Sequence, residues 1–321
     1  MTVTLAKTPI YFDTDLGIDD SMALAYLLAT PEIEIKGIGT VGGNCSAAQA
    51  ARNTLDLLGI AGRADIPVAV GCHDWLAHPF DGGSPEVHGA NGIGDIELPT
   101  AAAEPVDEHA VDMLIRLAHE HPGQLRVLAV GPFTNLAAAV QKDPAISELV
   151  DRVVVMGGAA MVPGNMTPVA EANVNHDPEA AAVVLAAPWQ VTTLGLDVTM
   201  DHQFEEADRI ALVDSGRPVA GAIAAMMDGY ADFYTGVFGR RAVALHDPLA
   251  AAAACGHLTY ASAPVVDVVV DDTDGPGRGQ TIADLRGRFR GFPEQPGAHA
   301  QVVLELERPF APMLLERIVS L

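Results

Sequence analysis

The chain has 321 residues, of which 49% are hydrophobic, and 42 acidic against 18 basic side chains give a formal net charge of −24 at pH 7. This negative charge repels nucleic acid and anionic membrane surfaces, so neither is expected as a partner. With no apolar run of roughly 18 residues and no signal-peptide pattern, the cytoplasm is the expected location, and the hydrophobic content suits a single domain over residues 1–321.

Short β-branched runs alternate with helical patterns along the chain. We predict strands at residues 9–12, 33–41, 66–70, 125–130, 152–156, 191–196, 265–270 and 301–306. We predict helices at residues 21–30, 47–58, 111–119 and 178–187. This alternation indicates an α/β fold with a mostly parallel central sheet and helices on both faces. Two long segments rich in Gly and Pro, residues 71–99 and 271–297, are expected to be lids or binding loops.

Four aspartates directly follow the first predicted strand: Asp13, Asp15, Asp19 and Asp20. Carboxylates this close repel one another unless a cation binds among them. In an open α/β sheet, ligands bind at the carboxyl ends of the strands. Capping of the next helix would explain one or two of these carboxylates, but it leaves Asp13 and Asp15 without a role. The cluster therefore predicts a metal or catalytic site.

Two other kinds of acidic loop share part of this pattern. A calcium-binding EF-hand loop that starts at Asp13 requires a bidentate Glu at its twelfth position, where this chain has Leu24. A Mg²⁺-dependent phosphohydrolase of the haloacid dehalogenase type would use Asp13 as nucleophile and Asp15 as acid. That class is expected to have Thr or Val where this chain has Gly17. The EF-hand is excluded, and the phosphohydrolase remains the alternative reaction.

Polar residues also follow other predicted strands, at the same edge of a parallel sheet. They are Asn44, Thr134, Asn135, Asn165, Glu171 and Asn173. Thr134 or Asn135 has a second interpretation, as a cap of the helix that follows. Because the carboxyl ends of parallel strands meet at one edge, a single crevice can collect these side chains.

Two Asp-Pro pairs each open an Ala-rich helix. We interpret Asp177 as a helix cap, since Asp suits that position and Pro suits the first helical residue. Asp247 has the same setting, but His246 precedes it, and a carboxylate beside an imidazole is a common acid-base arrangement. The residues alone therefore predict a divalent-metal hydrolase that acts on a small polyhydroxylated substrate.

Six segments, in this order, resemble the inosine-uridine preferring nucleoside hydrolases: residues 13–20, 41–44, 131–135, 155–158, 164–173 and 246–248. The resemblance implies a Rossmann-like nucleoside hydrolase fold and hydrolysis of the N-glycosidic bond of ribonucleosides, with bound Ca²⁺. It also implies a homodimer or homotetramer whose small-molecule partner is a ribonucleoside.

The same resemblance implies a role for each matching residue. The Ca²⁺ ligands would be the side chains of Asp15, Asp20 and Asp247 and the backbone carbonyl of Val130. Asp15 would also take a proton from the attacking water, and His246 would protonate the departing base. The ribonucleoside would be bound by Asp19, Asn44, His88, Met156, Asn165, Glu171, Asn173 and Tyr234.

Within that set, the resemblance divides the substrate contacts by position. The 2′- and 3′-hydroxyl groups would meet Asp19, Asn44 and Asn173, and the 5′-hydroxyl group would meet Asn165, Glu171 and the Met156 region. His88 would lie close to the base. Apart from the resemblance, we expect Tyr234 to cover the base from a mobile helix, together with Tyr230, Phe233 and Phe238. Asp13 would orient the acidic loop without binding the metal.

The chain departs from the family at positions that affect the base. Ala172 stands where the family often has Phe, and Trp75 and Trp189 lie outside the contexts typical of purine-specific relatives. These differences favour a broad or pyrimidine-leaning enzyme and leave the base preference open. A second alternative, a non-catalytic Ca²⁺-dependent ribose-binding protein, would lack a base or an acid, and both Asp15 and His246 are present.

Overall fold

The computed structural model describes residues 6–321. The strands are β1 (Thr8–Thr14), β2 (Ile33–Thr40), β3 (Val68–Val70), β4 (Arg126–Ala129), β5 (Arg152–Met156), β6 (Val191–Leu194), β7 (Gln203–Glu205), β8 (Ala242–Ala244), β9 (Tyr260–Ser262), β10 (Val265–Val266), β11 (Val268–Val270), β12 (Thr281–Ala283), β13 (Ala300–Val303) and β14 (Glu305–Leu306). The helices are α1 (Ile18–Leu28), α2 (Ala47–Ile60), α3 (Pro85–His88), α4 (Ala110–Glu120), α5 (Thr134–Lys142), α6 (Ile146–Leu149), α7 (Ala172–His176), α8 (Pro178–Ala186), α9 (Leu196–Thr199), α10 (Glu206–Asp214), α11 (Pro218–Phe238), α12 (His246–Cys255) and α13 (Ala311–Ser320). Within residues 6–321, no helix is long and apolar enough to cross a membrane.

Eight strands form the central sheet in the order β10-β13-β6-β5-β4-β1-β2-β3. Neighbouring strands are parallel except for β10 and β13, which pair antiparallel at one edge. Three two-stranded sheets, β11 with β12, β9 with β14 and β7 with β8, lie outside it. The predicted α/β class with a mostly parallel sheet is confirmed.

The alternation of side chains along β1 separates the two hydrophobic cores. Ile10 and Phe12 belong to the core that contains α1, α2, α11 and α12, whereas Tyr11 belongs to the core that contains α4, α5 and α8. Side chains two residues apart on a strand share a face, so Asp13 lies on the side of Tyr11. The Tyr11 hydroxyl donates a hydrogen bond to Asp13 Oδ2 at 2.8 Å. Helices therefore cover both faces, as predicted.

The site lies where the direction of winding reverses. β1 pairs with β2 on one side and β4 on the other, and the chain leaves β1 for a helix of the first core but leaves β4 for a helix of the second. A reversal of this kind opens a crevice outside the carboxyl ends of the two strands. Asp15 follows β1 and Val130 follows β4, so both residues lie at this crevice.

Two predicted strands are wrong in their extent. Residues 265–270 divide into β10, which joins the central sheet, and β11, which pairs with β12 instead. Residues 301–306 divide in the same way into parts of β13 and β14, which belong to different sheets. A run of valines has the same alternation whichever strand it pairs with, so the sequence pattern does not reveal a change of partner.

The first long loop, residues 71–99, folds back over the carboxyl edge of the sheet. Trp75 Nε1 donates a hydrogen bond to the Gly42 carbonyl at 2.9 Å. The Trp75 ring also stacks on His176, with ring centroids 4.9 Å apart. The loop contributes Ser84 and His88 to the cavity described below. The tryptophan thus anchors a loop that forms part of the site.

Candidate active site

A cavity of about 730 Å³ opens at the carboxyl edge of the sheet. All the predicted site residues except Asp15 and Asp20 line it: Asp19, Asn44, His88, Val130, Met156, Asn165, Glu171, Asn173, Tyr234, His246 and Asp247. They come from strands, helices and loops that are far apart in the chain. Asp15 and Asp20 are buried and do not line the cavity.

The tightest carboxylate group is Asp19, Asp20 and Asp247, whose nearest oxygens all lie within 4.8 Å of one another. All three side chains are buried. This group includes Asp19, which was predicted as a ribose contact, and it omits Asp15, which was predicted as a ligand. The acidic cluster is therefore real, but its closest three members differ from the predicted set.

Asp15 has an oxygen without a partner. Its Oδ2 accepts a hydrogen bond from the Asn44 backbone N–H at 2.6 Å. Its Oδ1 is buried and has no hydrogen-bond partner within residues 6–321. A buried carboxylate oxygen is costly unless a donor or a cation satisfies it. Asp15 thus keeps one oxygen free for a ligand beside the cluster.

Asp20 is held in place by the turn that it caps. Its Oδ2 accepts hydrogen bonds from the Gly17 backbone N–H at 2.8 Å and from Asn44 Nδ2 at 3.2 Å. Its Oδ1 accepts one from the Thr14 hydroxyl. Helix capping therefore explains the position of Asp20. It does not explain Asp19, so the other carboxylates of the cluster must have another role.

Burial and mutual repulsion both disfavour the charged forms of these groups. Burial, with the negative charge of Asp20, raises the pKa of Asp19 to about 8. Burial and then the charges of Asp19 and Asp20 hold the pKa of Asp247 well above its usual range, and burial with the Asp20 charge does the same for the pKa of Asp15. A cation would offset this repulsion, and a donor set made only of oxygens suits a hard divalent ion. The residues therefore fit a divalent metal.

Two glycines make this packing possible. A methyl group added at Gly43 would overlap Asp15 Oδ2 and lie 2.7 Å from Pro132 Cδ. One added at Gly17 would overlap the Asn44 amide and lie 2.7 Å from His88 Nδ1. Only a residue without a side chain lets the backbone approach the carboxylate so closely.

Asp13, at the end of β1, supports the acidic loop of residues 15–20 without reaching the cavity. It is fully buried, lies outside the cavity lining, and its Oδ2 accepts from the Asn135 amide at 3.0 Å as well as from Tyr11. Burial raises the pKa of Asp13 to about 7. Both Asp13 oxygens already accept hydrogen bonds, from Tyr11 and Asn135, and this disfavours the alternative phosphohydrolase, which needs Asp13 as the attacking group.

The two candidate helix caps after β4 have other partners. Asn135 Nδ2 also donates to the Thr40 carbonyl at 3.0 Å, and its Oδ1 accepts from the Cys72 N–H at 2.9 Å, so this side chain joins three strand ends. The Thr134 hydroxyl donates to Asp177 Oδ2 at 2.7 Å. Asp177 itself accepts from the Ala180 N–H at 3.0 Å and caps α8, as predicted.

Glu171 caps α7, a role that the sequence did not reveal. Its two oxygens accept hydrogen bonds from the backbone N–H groups of Gly158 at 2.8 Å, Asn173 at 2.9 Å and Val174 at 3.2 Å. Burial raises the pKa of Glu171 to about 6, although these bonds oppose the shift. The predicted contact between Glu171 and the 5′-hydroxyl group is untested, and any such contact would share oxygens that already accept these bonds.

Asn173 and Asn165 are also tied to the backbone. Asn173 Nδ2 donates to the carbonyls of Val130 at 2.7 Å and Met156 at 3.1 Å. The Val130 oxygen, predicted as a metal ligand, thus already accepts one bond and keeps a second lone pair. Asn165 Oδ1 accepts from the Ala172 N–H at 3.0 Å.

His246 lies between two hydroxyl groups at the start of α12. Its Nε2 is 2.6 Å from the Tyr234 hydroxyl, and its Nδ1 is 2.7 Å from the Thr199 hydroxyl. Burial lowers the pKa of His246 to about 4, so the ring is neutral at pH 7. Sequence reasoning missed Thr199, although its place just after the predicted strand at 191–196 puts it at the expected edge.

His88 and helix α11 form another side of the cavity. His88 Nδ1 accepts a hydrogen bond from the Ile18 N–H at 3.2 Å, which places the proton of the neutral ring on Nε2. Burial lowers the pKa of His88 to about 3. Tyr230, Phe233 and Tyr234 line the cavity from α11, and the ring centroid of Tyr230 is 5.3 Å from that of His88. This side of the cavity is therefore largely aromatic.

The family model described as inosine-uridine preferring nucleoside hydrolase matches residues 10–311. The chain belongs to this family. This nucleoside hydrolase is 39% identical to uridine nucleosidase 1 of Arabidopsis thaliana over 244 residues, which are 75% of this chain and 71% of that protein. It is 35% identical over 307 residues to the inosine-uridine preferring nucleoside hydrolase of Crithidia fasciculata, which covers 93% of each chain.

A solved structure supports the same assignment. The plant nucleoside hydrolase PpNRh1 superposes on this nucleoside hydrolase with a TM-score of 0.91 and 32% identity, over 98% of this chain and 100% of that chain. The family predicted from six short segments is confirmed, as are its fold and its enzymatic nature.

Proposed function

We propose that this nucleoside hydrolase uses Ca²⁺ to cleave the N-glycosidic bond of ribonucleosides and releases the free base and ribose. The observation that carries the proposal is one cavity lined by two members of the buried carboxylate group, Asp19 and Asp247, and by the His246 and Tyr234 pair. A carboxylate can take a proton from water, and a hydrogen-bonded side-chain pair can deliver one to a leaving group.

The proposed metal ligands are Asp15, Asp20, Asp247 and the Val130 carbonyl. Their support is the unpartnered Asp15 Oδ1, the burial of all three carboxylates and the proximity of Asp20 to Asp247. Asp19 is close enough to act as a further ligand or as the ribose contact predicted from the sequence. When bound, a divalent cation of this kind offsets the carboxylate repulsion and raises the acidity of nearby water.

Asp15 is the proposed general base. Its Oδ2 is fixed by the Asn44 N–H, so the free Oδ1 is the atom that takes a proton from water as that water attacks C1′ of the ribose. As the new C–O bond forms, the bond from C1′ to the base breaks and positive charge develops at the sugar. Hydrogen bonds of the ribose hydroxyl groups with Asp19, Asn44 and Asn173, in which the Asp19 carboxylate accepts, would stabilise this transition state more than the ground state.

The departing base is proposed to receive its proton from His246 together with Tyr234. The 2.6 Å contact between His246 Nε2 and the Tyr234 hydroxyl lets the two side chains share a proton. The Thr199 hydroxyl at 2.7 Å from Nδ1 holds the ring in this orientation. Because the ring is neutral at pH 7, the pair is a better candidate for the donor than a resting imidazolium.

Uridine and inosine are the proposed first substrates. The support is the similarity to two proteins named for these substrates, a uridine nucleosidase and an inosine-uridine preferring nucleoside hydrolase. Ala172, which also lines the cavity, leaves room beside the ligand, and this suits a broad or pyrimidine-leaning preference.

The deciding experiment measures free ribose and free phosphate from a panel of nucleosides and phosphomonoesters. We expect ribose from uridine and inosine, loss of that activity after thorough chelation, and recovery on addition of Ca²⁺. Release of phosphate would support the phosphohydrolase instead. Tight ribonucleoside binding without ribose release would favour the binding protein, and full activity in the chelated enzyme would refute the metal assignment.

We further propose that the enzyme works in the cytoplasm as a homodimer or homotetramer. Both statements come from the sequence and its resemblance to the family. Sedimentation equilibrium of the purified chain measures the subunit number, and a monomer at assay concentration would contradict the second statement.

A further inference from the structure

One side of the cavity is a segment without regular secondary structure. Residues 157–171, here named the wall loop, connect β5 to α7. The residues of this loop that line the cavity are Val162, Pro163, Gly164, Asn165, Met166 and Glu171. Because the loop lacks a helix or strand of its own, its position depends on a small number of hydrogen bonds.

Asp197 holds the part of the wall loop that leads into these lining residues. Its Oδ2 accepts a hydrogen bond from the Ala160 N–H at 2.8 Å, and its Oδ1 accepts one from the Met161 N–H at 2.7 Å. One carboxylate thus receives two successive backbone N–H groups. Hydrogen bonds to an ionised acceptor are about twice as strong as neutral ones, so this contact is a strong hold on an otherwise irregular segment.

Asp197 is itself firmly placed. It lies in α9, where the N–H of the preceding Leu196 donates to the Gly158 carbonyl at 2.9 Å, which makes another bond to the wall loop. Thr199 of the same short helix contacts His246 at 2.7 Å. Helix α9 therefore links the wall loop to the proposed proton donor.

The far end of the wall loop has separate supports. Glu171 accepts from the Gly158 N–H at 2.8 Å, and Ala170 forms an antiparallel bridge with Gln280. Met166 is joined to the same end by its N–H, which donates to the Ala170 carbonyl at 3.1 Å. Removal of the Asp197 contact would therefore loosen the middle of the loop while its far end stays attached.

We propose that Asp197 is a positioning residue that fixes the wall loop and so determines affinity for the ribonucleoside without taking part in the chemistry. This inference rests on the proposed function only for its kinetic test, because that test measures hydrolysis of a ribonucleoside. Asp197→Asn keeps the size of the side chain. Its single amide oxygen can accept from one of the two backbone N–H groups, and its NH₂ group then faces the second N–H group, donor against donor.

The test compares Asp197→Asn with the wild-type enzyme. We expect KM for uridine to rise roughly tenfold, the loss of one charge-assisted bond, while kcat stays within about threefold. Hydrogen exchange at residues 159–166 should become faster in the same variant. The control is Asp208→Asn, which removes a similar bond to the Glu205 N–H, 2.8 Å long, outside the cavity lining, and it should change neither measurement.

Met161→Pro tests the same contact from the loop side, because proline has no N–H to donate to Asp197. This variant replaces Asp197→Asn in the test if Asp197→Asn does not fold. It should raise KM as Asp197→Asn does, and the double variant should be no worse than either single one. Unchanged KM and exchange in Asp197→Asn, a fall in kcat alone, or fully additive effects would overturn the proposal. If the wild-type enzyme hydrolyses no ribonucleoside, the proposed function fails, and the exchange comparison still decides the role of Asp197.

Discussion

At the scale of single residues, a substitution of Asp15 distinguishes an effect on catalysis from an effect on ribose binding. Its free Oδ1 is the proposed acceptor of a proton, and an amide at this position cannot accept it. We expect Asp15→Asn to lower kcat by about 10² to 10⁴-fold, the usual contribution of a general base, with a much smaller effect on ribose affinity. Steady-state kinetics in a variant loaded with calcium, with bound metal measured separately, checks this. Near-normal turnover in the loaded variant would refute the assignment.

His246 is tested by a choice of leaving group. The anion of hypoxanthine or uracil leaves poorly without a proton, whereas p-nitrophenolate leaves readily. We therefore expect His246→Ala to slow inosine and uridine hydrolysis by about 10² to 10⁴-fold and p-nitrophenyl riboside hydrolysis far less. Tyr234→Phe should show the same selectivity in weaker form, because it removes one member of the 2.6 Å contact. An equal loss on both kinds of substrate would leave His246 as a packing residue.

Residues whose role follows from charge density could be predicted from the sequence, and those whose role depends on a distant backbone group could not. Asp15, Asp19 and Asp20 lie together in the chain, so their repulsion is visible in the sequence itself. Glu171 accepts from Gly158, thirteen residues away, and Thr199 contacts His246 across 47 residues. Such pairs exist only after the strand ends have been brought to one edge.

At the scale of elements, the position of the loop formed by residues 71–99 depends on Trp75. Trp75→Phe keeps most of the stacking on His176 but loses the 2.9 Å bond to the Gly42 carbonyl. A buried hydrogen bond contributes ~1 kcal/mol, so we expect KM to rise by up to about fivefold as the loop is held less firmly. Steady-state kinetics with uridine measure this rise.

The chain offers a matched control for this substitution. Trp189 Nε1 also donates a buried hydrogen bond, to the Val184 carbonyl at 2.8 Å, but Trp189 lies outside the loop of residues 71–99. Trp189→Phe should lower the melting temperature and leave KM unchanged. A similar rise of KM in both variants would mean that the effect is one of general stability and not of the loop at residues 71–99.

The order of elements was more predictable than their partners. The predicted helices were found with ends that differ by a few residues, because apolar periodicity marks helices well. Asp13 and Thr14 belong to β1 although the predicted strand ended at residue 12, since a strand that carries polar site residues no longer has an apolar pattern. The division of residues 265–270 between two sheets depends on which strands they pair with, and the sequence pattern does not show these partners.

At the scale of the whole molecule, the buried carboxylates lower the free energy of unfolding, and a bound metal would raise it. Asp15, Asp19, Asp20 and Asp247 bury four carboxylates close to one another. A ligand that binds only the folded state at 100 times its Kd adds about 2.7 kcal/mol of stability. For a chain of 321 residues, whose entropy of unfolding is about 0.7 kcal/mol/K, we expect calcium to raise the melting temperature of chelated enzyme by roughly 4 °C. Differential scanning calorimetry measures the shift.

The control for this prediction is a variant that lacks a ligand. Asp20→Ala should not respond to added calcium and should lack activity, while a change of ionic strength alone should not reproduce the shift. An identical calcium response in Asp20→Ala would place the ion elsewhere on this strongly acidic surface.

The close approach of Gly43 to Asp15 has a consequence for any map of mutational tolerance. Gly43→Ala adds one methyl group where Asp15 Oδ2 already lies, so we expect kcat to fall at least about 10²-fold, as for loss of the base itself. Gly221→Ala, in α11 with open space around it, should keep full activity and gain ~0.5 to 1 kcal/mol of stability. Equal kcat values in the two variants would contradict this. In a saturation library, Gly43, which has no functional group, would then tolerate substitution as poorly as the aspartates proposed for catalysis and metal binding. Intolerance to substitution thus marks the space that a reaction needs as well as the atoms that perform it.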